Sequence, residues 1–215
     1  MDNLVITISR EFGSGGRQVG AQLAEKLGVA FYDRALIHLA SVKSGLAPQV
    51  FDQAEEEATS KFLFNLAIGG YVSTGIFSQI NVPICDQVFF AQSKTIEEIA
   101  EKESCVIIGR CANYILRDHP GLVRVFVHGD AKDRLQRSID EYGIPEDEAK
   151  TRLSQIDKGR KNYYEHYTNE EWGVLKSYDL AVNTSFAGID GAVKVVGAMV
   201  ESRSGVCLNS NSDRH

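Results

Sequence analysis

The stretch "ISREFGSGGRQVG", residues 8–20, joins an apolar run to an amphipathic pattern and decides how the chain folds around it. The preceding "LVITI", residues 4–8, is a compact β-branched run typical of a buried parallel strand. From Arg17 to Gly28, apolar residues recur at four-residue spacing, which predicts a helix with one apolar face. The order of strand, glycine-rich loop and helix is typical of a loop that holds phosphate.

A phosphate loop needs backbone N–H groups that converge on anionic oxygens, followed by a helix whose N-terminus adds the positive end of its dipole. The predicted phosphate-binding positions are Gly13, Ser14, Gly15, Gly16, Arg17 and Gln18. The GxxxxGK[ST] motif fails here, because no lysine follows any of these glycines. Arg17 is the nearest cation, and a guanidinium can clamp two phosphate oxygens at once.

The same glycines leave two other interpretations open. One is the dinucleotide fingerprint GxGxxG, with Asp33 near the place of its ribose-binding acid, but Gln18 stands where the third glycine should be. The other is a glycine-rich turn without any ligand. The preceding strand, the three glycines and the arginine at the helix start favour phosphate binding over both.

Length and composition restrict the class of protein. A chain of 215 residues with 43% hydrophobic residues predicts one domain with a substantial core. The net charge of −6 shows no excess of Lys and Arg that would bind a nucleic-acid backbone, so we expect no nucleic-acid partner. No apolar stretch approaches the ~20 residues of a membrane span, and no basic leader precedes the first strand, so we expect a soluble cytoplasmic protein. The four cysteines form no CxxC pair and are typical of reduced thiols.

The rest of the chain alternates strand and helix patterns. Further strands are predicted at residues 29–33, 105–110, 123–129 and 178–185. This alternation predicts an α/β fold of three layers, in which helices cover both faces of a parallel sheet. Asp33 and Arg110 end or follow predicted strands, at the edge where open α/β sheets bind ligands. "DAKDRLQRSIDEYG" predicts a charged helix with Leu135 and Ile139 facing inward.

The domain organisation follows from the same patterns. We expect residues 1–201 to form the domain and residues 202–215, which are poor in apolar residues, to be a disordered tail. Residues 46–95 are predicted to be an inserted acceptor-binding segment of helices and loops. Residues 145–172 are highly charged, too polar for core, and predicted to form a helical lid whose tyrosines anchor it or stack on a base.

"ITISREFGSGGRQVGAQLAEKLGVAFYDRALI" resembles the start of the cytidylate kinase-like family, a divergent branch of the P-loop nucleoside monophosphate kinases. In that register Gly16 takes the place of the lysine of the GxxxxGK[ST] motif, the Walker lysine. Arg17 follows it, and Gln18 replaces the Ser or Thr that holds magnesium. Arg10 and Glu11 stand where true cytidylate kinases have glycine and a small residue.

Other landmarks of the family follow in the same order. "VIIGRC" resembles the family's strand followed by Gly-Arg, which implies that Arg110 reaches the acceptor monophosphate, although Cys111 replaces the usual acid. "IDKGRKNYY" resembles the lid, whose acid and arginine match Asp157 and Arg160, three residues apart on one helix face. The resemblance runs from residue 5 to about residue 200.

The resemblance implies a P-loop kinase fold, ATP as phosphoryl donor, magnesium, and a small acceptor such as the nucleoside monophosphate CMP. Phosphoryl transfer needs mostly positioning and charge neutralisation. The implied catalytic residues are Arg17, Arg160 and Asp157, with Arg160 entering as the lid closes. Asp33 and Arg110 are the implied acceptor-binding residues, while the metal ligands and the oligomeric state are not indicated.

The absent lysine leaves a second function open, a catalytically inactive module that binds or senses a nucleotide. A Rossmann-type oxidoreductase is disfavoured by the broken fingerprint. Simpler roles also exist for single residues: Asp33 caps the following helix, Asp157 pairs with Arg160 for structure alone, and Arg110 forms a surface salt bridge.

Overall fold

The computed structural model describes residues 3–47, residue 51 and residues 82–205. The elements, in chain order, are β1 (Val5–Arg10), α1 (Gly16–Leu27), β2 (Ala30–Tyr32), α2 (Arg34–Ser44), α3 (Ile84–Lys102), β3 (Cys105–Ile108), α4 (Ala112–Ile115), β4 (Leu122–His128), α5 (Ala131–Asp140), α6 (Glu146–Thr168), β5 (Leu180–Asn183) and α7 (Thr184–Ser204). None of these helices is both long enough and apolar enough to cross a membrane.

The described strands form one parallel five-stranded sheet in the order β2-β3-β1-β4-β5. β1 lies at its centre, where Val5 pairs with Cys105 of β3 on one side and Leu122 of β4 on the other. After β1 the chain crosses to one edge of the sheet, and it later returns to the other side. The carboxyl end of β1 is therefore the switch point at which such sheets bind ligands.

Apolar layers on both faces of the sheet make up the core. Successive residues of β1 point to opposite faces. Ile6 packs with Leu23 of α1 and Val196 of α7 on one face, and Val5 packs with Ile96 of α3 on the other. The predicted three-layer α/β fold is confirmed.

α1 follows the predicted pattern. It spans Gly16–Leu27, and its apolar residues Val19 and Leu23 are fully buried. Gly28 ends it in the left-handed conformation, with its N–H bonded to the carbonyls of the last turn. Glycine suits this position because other residues pay a steric cost at positive φ.

α5 faces the core with residues other than those predicted. Leu135 and Ile139 are only half-buried, whereas Arg134 is 7% exposed and Ser138 is fully buried. The prediction was wrong because α5 packs over the loop between β1 and α1 and against α6, the helix Glu146–Thr168. A periodicity argument from apolar residues cannot anticipate an inward-facing arginine.

α6 is one helix of 23 residues, and its second half is largely buried. Tyr163 and Tyr164 are 4% and 3% exposed. Tyr163 donates its hydroxyl to Gln92 at 3.1 Å, and Asn113 donates to the Tyr164 hydroxyl at 2.9 Å. The expectation that this segment is too polar for core is wrong for this half, because its hydroxyls find buried partners. The tyrosines anchor the helix, as one of the two alternatives predicted.

Much of the predicted 46–95 insertion lies outside the described residues. Its last part, from residue 84 to residue 95, belongs to α3, where Val88 and Gln92 are fully buried. At the other end of the chain, α7 runs to Ser204, three residues beyond the predicted domain boundary, and residues 206–215 lie outside the described part.

Candidate functional site

Residues 11–15, here called the glycine loop, connect β1 to the start of α1. Gly13 and Gly15 have φ of 74° and 78°, a region that other residues rarely adopt. The Ser14 side chain is fully buried and donates to the Glu11 carbonyl at 2.8 Å. A Cβ on Gly13 would lie 2.4 Å from the Arg134 carbonyl oxygen, so the loop passes directly beneath α5. The first N–H groups of α1 have no acceptor within the helix and face this end of the sheet.

Arg134 of α5 fixes the glycine loop through a partly buried network. Its Nε donates to the Phe12 carbonyl at 2.8 Å, and its guanidinium pairs with Glu11 at 3.2 Å and with Asp157 of α6. Asp157 also accepts the Phe12 N–H at 2.7 Å. The network joins the loop to two helices distant in sequence. Asp157, predicted to be catalytic, is therefore placed to position the loop, and its ion-pair partner is Arg134.

A second α5 arginine holds the next part of the loop. Arg137 donates to the Gly13 carbonyl at 2.6 Å. Gln18, which replaces the magnesium-binding Ser or Thr in the family register, donates to Glu141 at 2.8 Å. Sequence reasoning missed both Arg134 and Arg137. The available signal was their three-residue spacing on the helix after β4, which puts both on one face.

Arg17 and Asp33, predicted on the donor and acceptor sides, form an ion pair with each other. Arg17 Nε lies 2.7 Å from Asp33 Oδ2, and the two side chains are 59% and 16% exposed. The alternative in which Asp33 caps α2 is wrong, because its carboxylate makes no cap hydrogen bond and binds Arg17 instead. The predicted roles of both residues toward a nucleotide stay predictions.

A small, partly enclosed pocket opens at the carboxyl ends of β1 and β3. We call it the arginine pocket. Its lining includes three arginines and three aromatic residues: Arg10, Arg110, Arg160, Tyr163, Tyr164 and Trp172. The arginines come from the end of β1, the turn after β3 and the middle of α6. Guanidinium groups in this density are suited to a phosphate, because each can hold two oxygens.

The turn after β3 aims Arg110 into the pocket. Gly109, Arg110 and Cys111 all have positive φ, at 67°, 59° and 56°. A non-glycine residue in this region costs about 1 kcal/mol or more, and such strain tends to occur at functional sites. Arg110 is 7% exposed and donates to the Phe51 carbonyl at 3.0 Å. The predicted surface role of Arg110 is therefore wrong. Arg110 lies at the carboxyl edge of the sheet, as predicted, and its role in binding an acceptor stays a prediction.

Arg160 lies between the glycine loop and the arginine pocket. It is 9% exposed, and it donates to the Arg10 carbonyl at 3.2 Å. Its Cζ lies 5.6 Å from the centroid of the Phe12 ring, within the range of a cation–π contact. Burial raises the pKa of the neighbouring Tyr164, so this hydroxyl stays neutral at physiological pH and adds no negative charge. The lining therefore keeps its cationic character.

The described residues do not build a magnesium site. No group of three or more His, Cys, Asp or Glu side chains among them is arranged to hold a metal ion. The carboxylates around the glycine loop that the structure describes, those of Glu11, Asp33 and Asp157, are bound by arginines. Magnesium in phosphoryl transfer is held largely by the substrate phosphates. The implied magnesium stays a prediction, with no protein ligands assigned.

A parallel sheet in the order β2-β3-β1-β4-β5, with a glycine loop between its central strand and a helix, defines a P-loop kinase fold. The chain belongs to the cytidylate kinase-like family, whose model matches residues 5–186. Membership in this family places the protein among kinase-like phosphotransferases that act on nucleotides or small molecules. The sequence-based resemblance is confirmed.

Solved structures agree with this fold. An uncharacterized protein from Eubacterium ventriosum is 27% identical, with a TM-score of 0.68 over 94% of this chain and 100% of that chain. A shikimate kinase from Bacteroides thetaiotaomicron is 16% identical, with a TM-score of 0.53 over 92% and 98% of the two chains. A shikimate kinase from Acinetobacter baumannii, solved with shikimate, is 16% identical, with a TM-score of 0.51 over 94% and 96%. A search of curated proteins found no match.

Proposed function

We propose that this protein transfers the γ-phosphate of ATP to a small acceptor that carries a phosphate, most simply a nucleoside monophosphate such as CMP. One observation carries the proposal: the arginine pocket adjoins the glycine loop, and Arg10 and Arg160 lie at their junction. A kinase must bring two phosphate-bearing molecules together and offset their repulsion. The glycine loop is suited to the phosphates of ATP, and the cationic pocket is suited to the phosphate of the acceptor.

On the donor side, the glycine loop and the first turn of α1 supply backbone N–H groups and the positive end of a helix dipole. Arg137 lies beside the loop through its bond to Gly13. On the acceptor side, Arg110 and Arg160 hold the acceptor phosphate, and the aromatic residues of the pocket shield it from water. Asp33 retains its predicted part in acceptor binding, with Arg17 orienting its carboxylate.

The transfer itself asks for no acid or base from the protein when the acceptor is a phosphate. An acceptor phosphate oxygen attacks the γ-phosphorus, and a new P–O bond forms. The bond from the γ-phosphorus to the bridging oxygen breaks, and its electron pair leaves with ADP. The arginines offset the negative charge that spreads over the transferring group. The second half of α6 holds Arg160 at the pocket in this structure.

The test is acceptor-dependent formation of ADP. Purified protein is incubated with ATP, magnesium and each nucleoside monophosphate in turn, and ADP is measured against a reaction without acceptor. We expect turnover with at least one pyrimidine monophosphate. Arg110→Met should lose it, while the exposed Arg152→Met should retain it. Failure of every monophosphate to raise ADP formation would exclude the proposed acceptor class.

A second candidate is an inactive module that binds a nucleotide, and the glycine at position 16 favours it, because the usual lysine is absent. It predicts that ATP raises the temperature of thermal unfolding without any ADP being formed. Thermal shift and turnover measured on the same sample separate the two candidates.

A further inference from the structure

We propose that Arg10, at the end of β1, supplies the positive charge that the Walker lysine supplies in other phosphate loops. This inference rests on the proposed function of the glycine loop as the donor site. It differs from the expectation that Arg17 takes over this role.

Position 16 cannot carry a side chain while Arg10 is in place. A Cβ added to Gly16 would lie 2.6 Å from the Arg10 Cβ and 3.2 Å from the Val127 Cβ. Real Cβ atoms do not approach this closely, since close-packed interiors leave no room for overlap. The volume beside residue 16, where a lysine side chain would begin, holds the first carbons of Arg10. A side chain at position 10 and a side chain at position 16 therefore exclude each other in this fold.

Arg10 also lies where a transferring phosphoryl group needs a cation. It belongs to the strand end that leads into the glycine loop, and it lines the arginine pocket with Arg110 and Arg160. Its carbonyl accepts a hydrogen bond from Arg160 at 3.2 Å. Arg10 therefore adjoins both the donor loop and the acceptor pocket. A cation at this junction contacts the γ-phosphate between the two substrates.

Arg17 occupies a different environment. Its side chain is 59% exposed, and its Nε is 2.7 Å from Asp33 Oδ2 at the end of β2. An exposed arginine offers a weaker field to a phosphate than one that lines a partly enclosed pocket, because water screens the exposed charge. The geometry thus assigns the charge-offsetting function of the Walker lysine to Arg10, which directly precedes the glycine loop. Arg10 donates no proton and only offsets charge, because a guanidinium does not deprotonate in proteins.

The experiment compares Arg10→Met, Arg17→Met and Arg152→Met, three variants that each lose one positive charge. Arg10→Met keeps the backbone carbonyl that Arg160 binds, so that contact survives. Titration calorimetry with ATP alone and steady-state kinetics are run on each variant, with thermal unfolding as a check of folding. We expect Arg10→Met to weaken ATP binding about tenfold and to lower kcat about 100-fold. Arg10→Lys should recover part of both losses, while Arg17→Met changes them about threefold or less and Arg152→Met leaves them unchanged.

A double variant that moves the positive charge from position 10 to position 16 makes the test more specific. In Arg10→Gly combined with Gly16→Lys, the cation moves to the position of the Walker lysine. The overlap of the residue 16 Cβ with Arg10 is removed, and the 3.2 Å approach to the Val127 Cβ remains. We expect this double variant to bind ATP more tightly than Arg10→Gly alone. If it does not fold, the comparison of Arg10→Met with Arg17→Met decides the matter by itself.

The outcomes separate this inference from the proposed function. Turnover that survives Arg10→Met but is lost in Arg17→Met overturns the role of Arg10 and leaves the kinase proposal standing. ATP binding that depends on Arg10, in a protein without turnover for any acceptor, supports Arg10 and refutes the kinase proposal. Absence of ATP binding by the unsubstituted protein overturns both.

Discussion

The glycine loop and the arginine pocket meet at Arg10, yet they are built in opposite ways. The loop is a run of consecutive residues whose backbone makes the site, and Arg134 clamps it from outside. The pocket takes its three arginines from separate elements, so that Arg160 contacts a residue 150 positions away in sequence. A backbone site can be recognised from a short motif, whereas a side-chain site exists only after the sheet and α6 have assembled.

The two regions also differ in how their charges are used. In the loop network, one guanidinium is matched to two carboxylates and a carbonyl, so the network serves mainly to hold a shape. In the pocket, three arginines from separate elements line one small volume at the switch point of the sheet. We infer that the loop network is chiefly structural and that the pocket is chiefly a ligand site. Three predictions test this contrast, and a fourth concerns a region outside both sites.

The largest effect should come from Arg134→Met. The substitution leaves Glu11 and Asp157 without their cation in a site where Arg134 itself is only 8% exposed. We expect the free energy of unfolding to fall by about 3–5 kcal/mol, because unpaired charges remain in a poorly solvated place. Urea unfolding measures this, with Arg152→Met as the exposed control. A loss below about 1 kcal/mol would contradict a structural role.

Arg110→Met should act on function rather than on stability. We expect kcat/KM for the acceptor to fall about 100-fold, as charge-assisted hydrogen bonds to its phosphate are lost. KM for ATP should change less than threefold. Steady-state kinetics, in which ATP and the acceptor are varied in turn, distinguish an effect on the acceptor from an effect on ATP. A larger effect on ATP than on the acceptor would place Arg110 on the donor side.

Gly13→Ala tests how closely the loop packs under α5. Gly28→Ala is the matched control, because both glycines have positive φ but a Cβ at Gly28 meets no atom within 4 Å among the described residues. We expect Gly28→Ala to lower the free energy of unfolding by about 1 kcal/mol, which is the cost of placing a non-glycine residue at positive φ. Gly13→Ala should cost about 2 kcal/mol more, because its Cβ overlaps the Arg134 carbonyl. Equal losses would show that the loop can move away from α5.

The smallest effect concerns a region outside both sites. Burial raises the pKa of Asp179, but the hydrogen bonds from the Arg124 side chain and backbone outweigh it, and the net pKa is lowered. Because the pKa is lower in the folded than in the unfolded protein, the ionised carboxylate stabilises the fold at pH values above the unfolded pKa of about 3.9. This stabilisation is lost as the pH falls through the folded pKa. We expect Asp179→Asn to cost about 1 kcal/mol at pH 7 and less below pH 4. Urea unfolding at pH 7 and below pH 4 measures the difference in unfolding free energy between the variant and the unsubstituted protein. A difference that is larger at the lower pH would contradict the prediction.

Sequence reasoning succeeded where local pattern decides structure. The apolar run of β1, the four-residue spacing of α1 and the glycines between them lie within a short stretch of chain. It was wrong on the inward face of α5, because Arg134 is buried by ionic partners rather than by apolar contacts. It was also wrong on the polarity of α6, since the tyrosine hydroxyls are satisfied by α3 and α4.

The site was predicted in part. Arg110 and Arg160 do line one pocket, as their places in the family pattern suggested. Arg17 and Asp33 form an ion pair that no sequence pattern indicated, and their roles toward a nucleotide stay predictions. Arg10 was noticed only as a departure from the family pattern. Its place beside Gly16 depends on how the end of β1 turns into the loop, which no spacing rule contains.

By itself, the sequence determined the order of strand, loop and helix, the parallel α/β class and the family, because these follow from hydrophobic periodicity and glycine placement along the chain. Only the tertiary structure decided which cations share a site. An arginine side chain is long and pairs with whatever carboxylate, carbonyl or ligand its surroundings bring near. The same residue type therefore clamps a loop at Arg134, pairs at the surface at Arg17 and lines a pocket at Arg10.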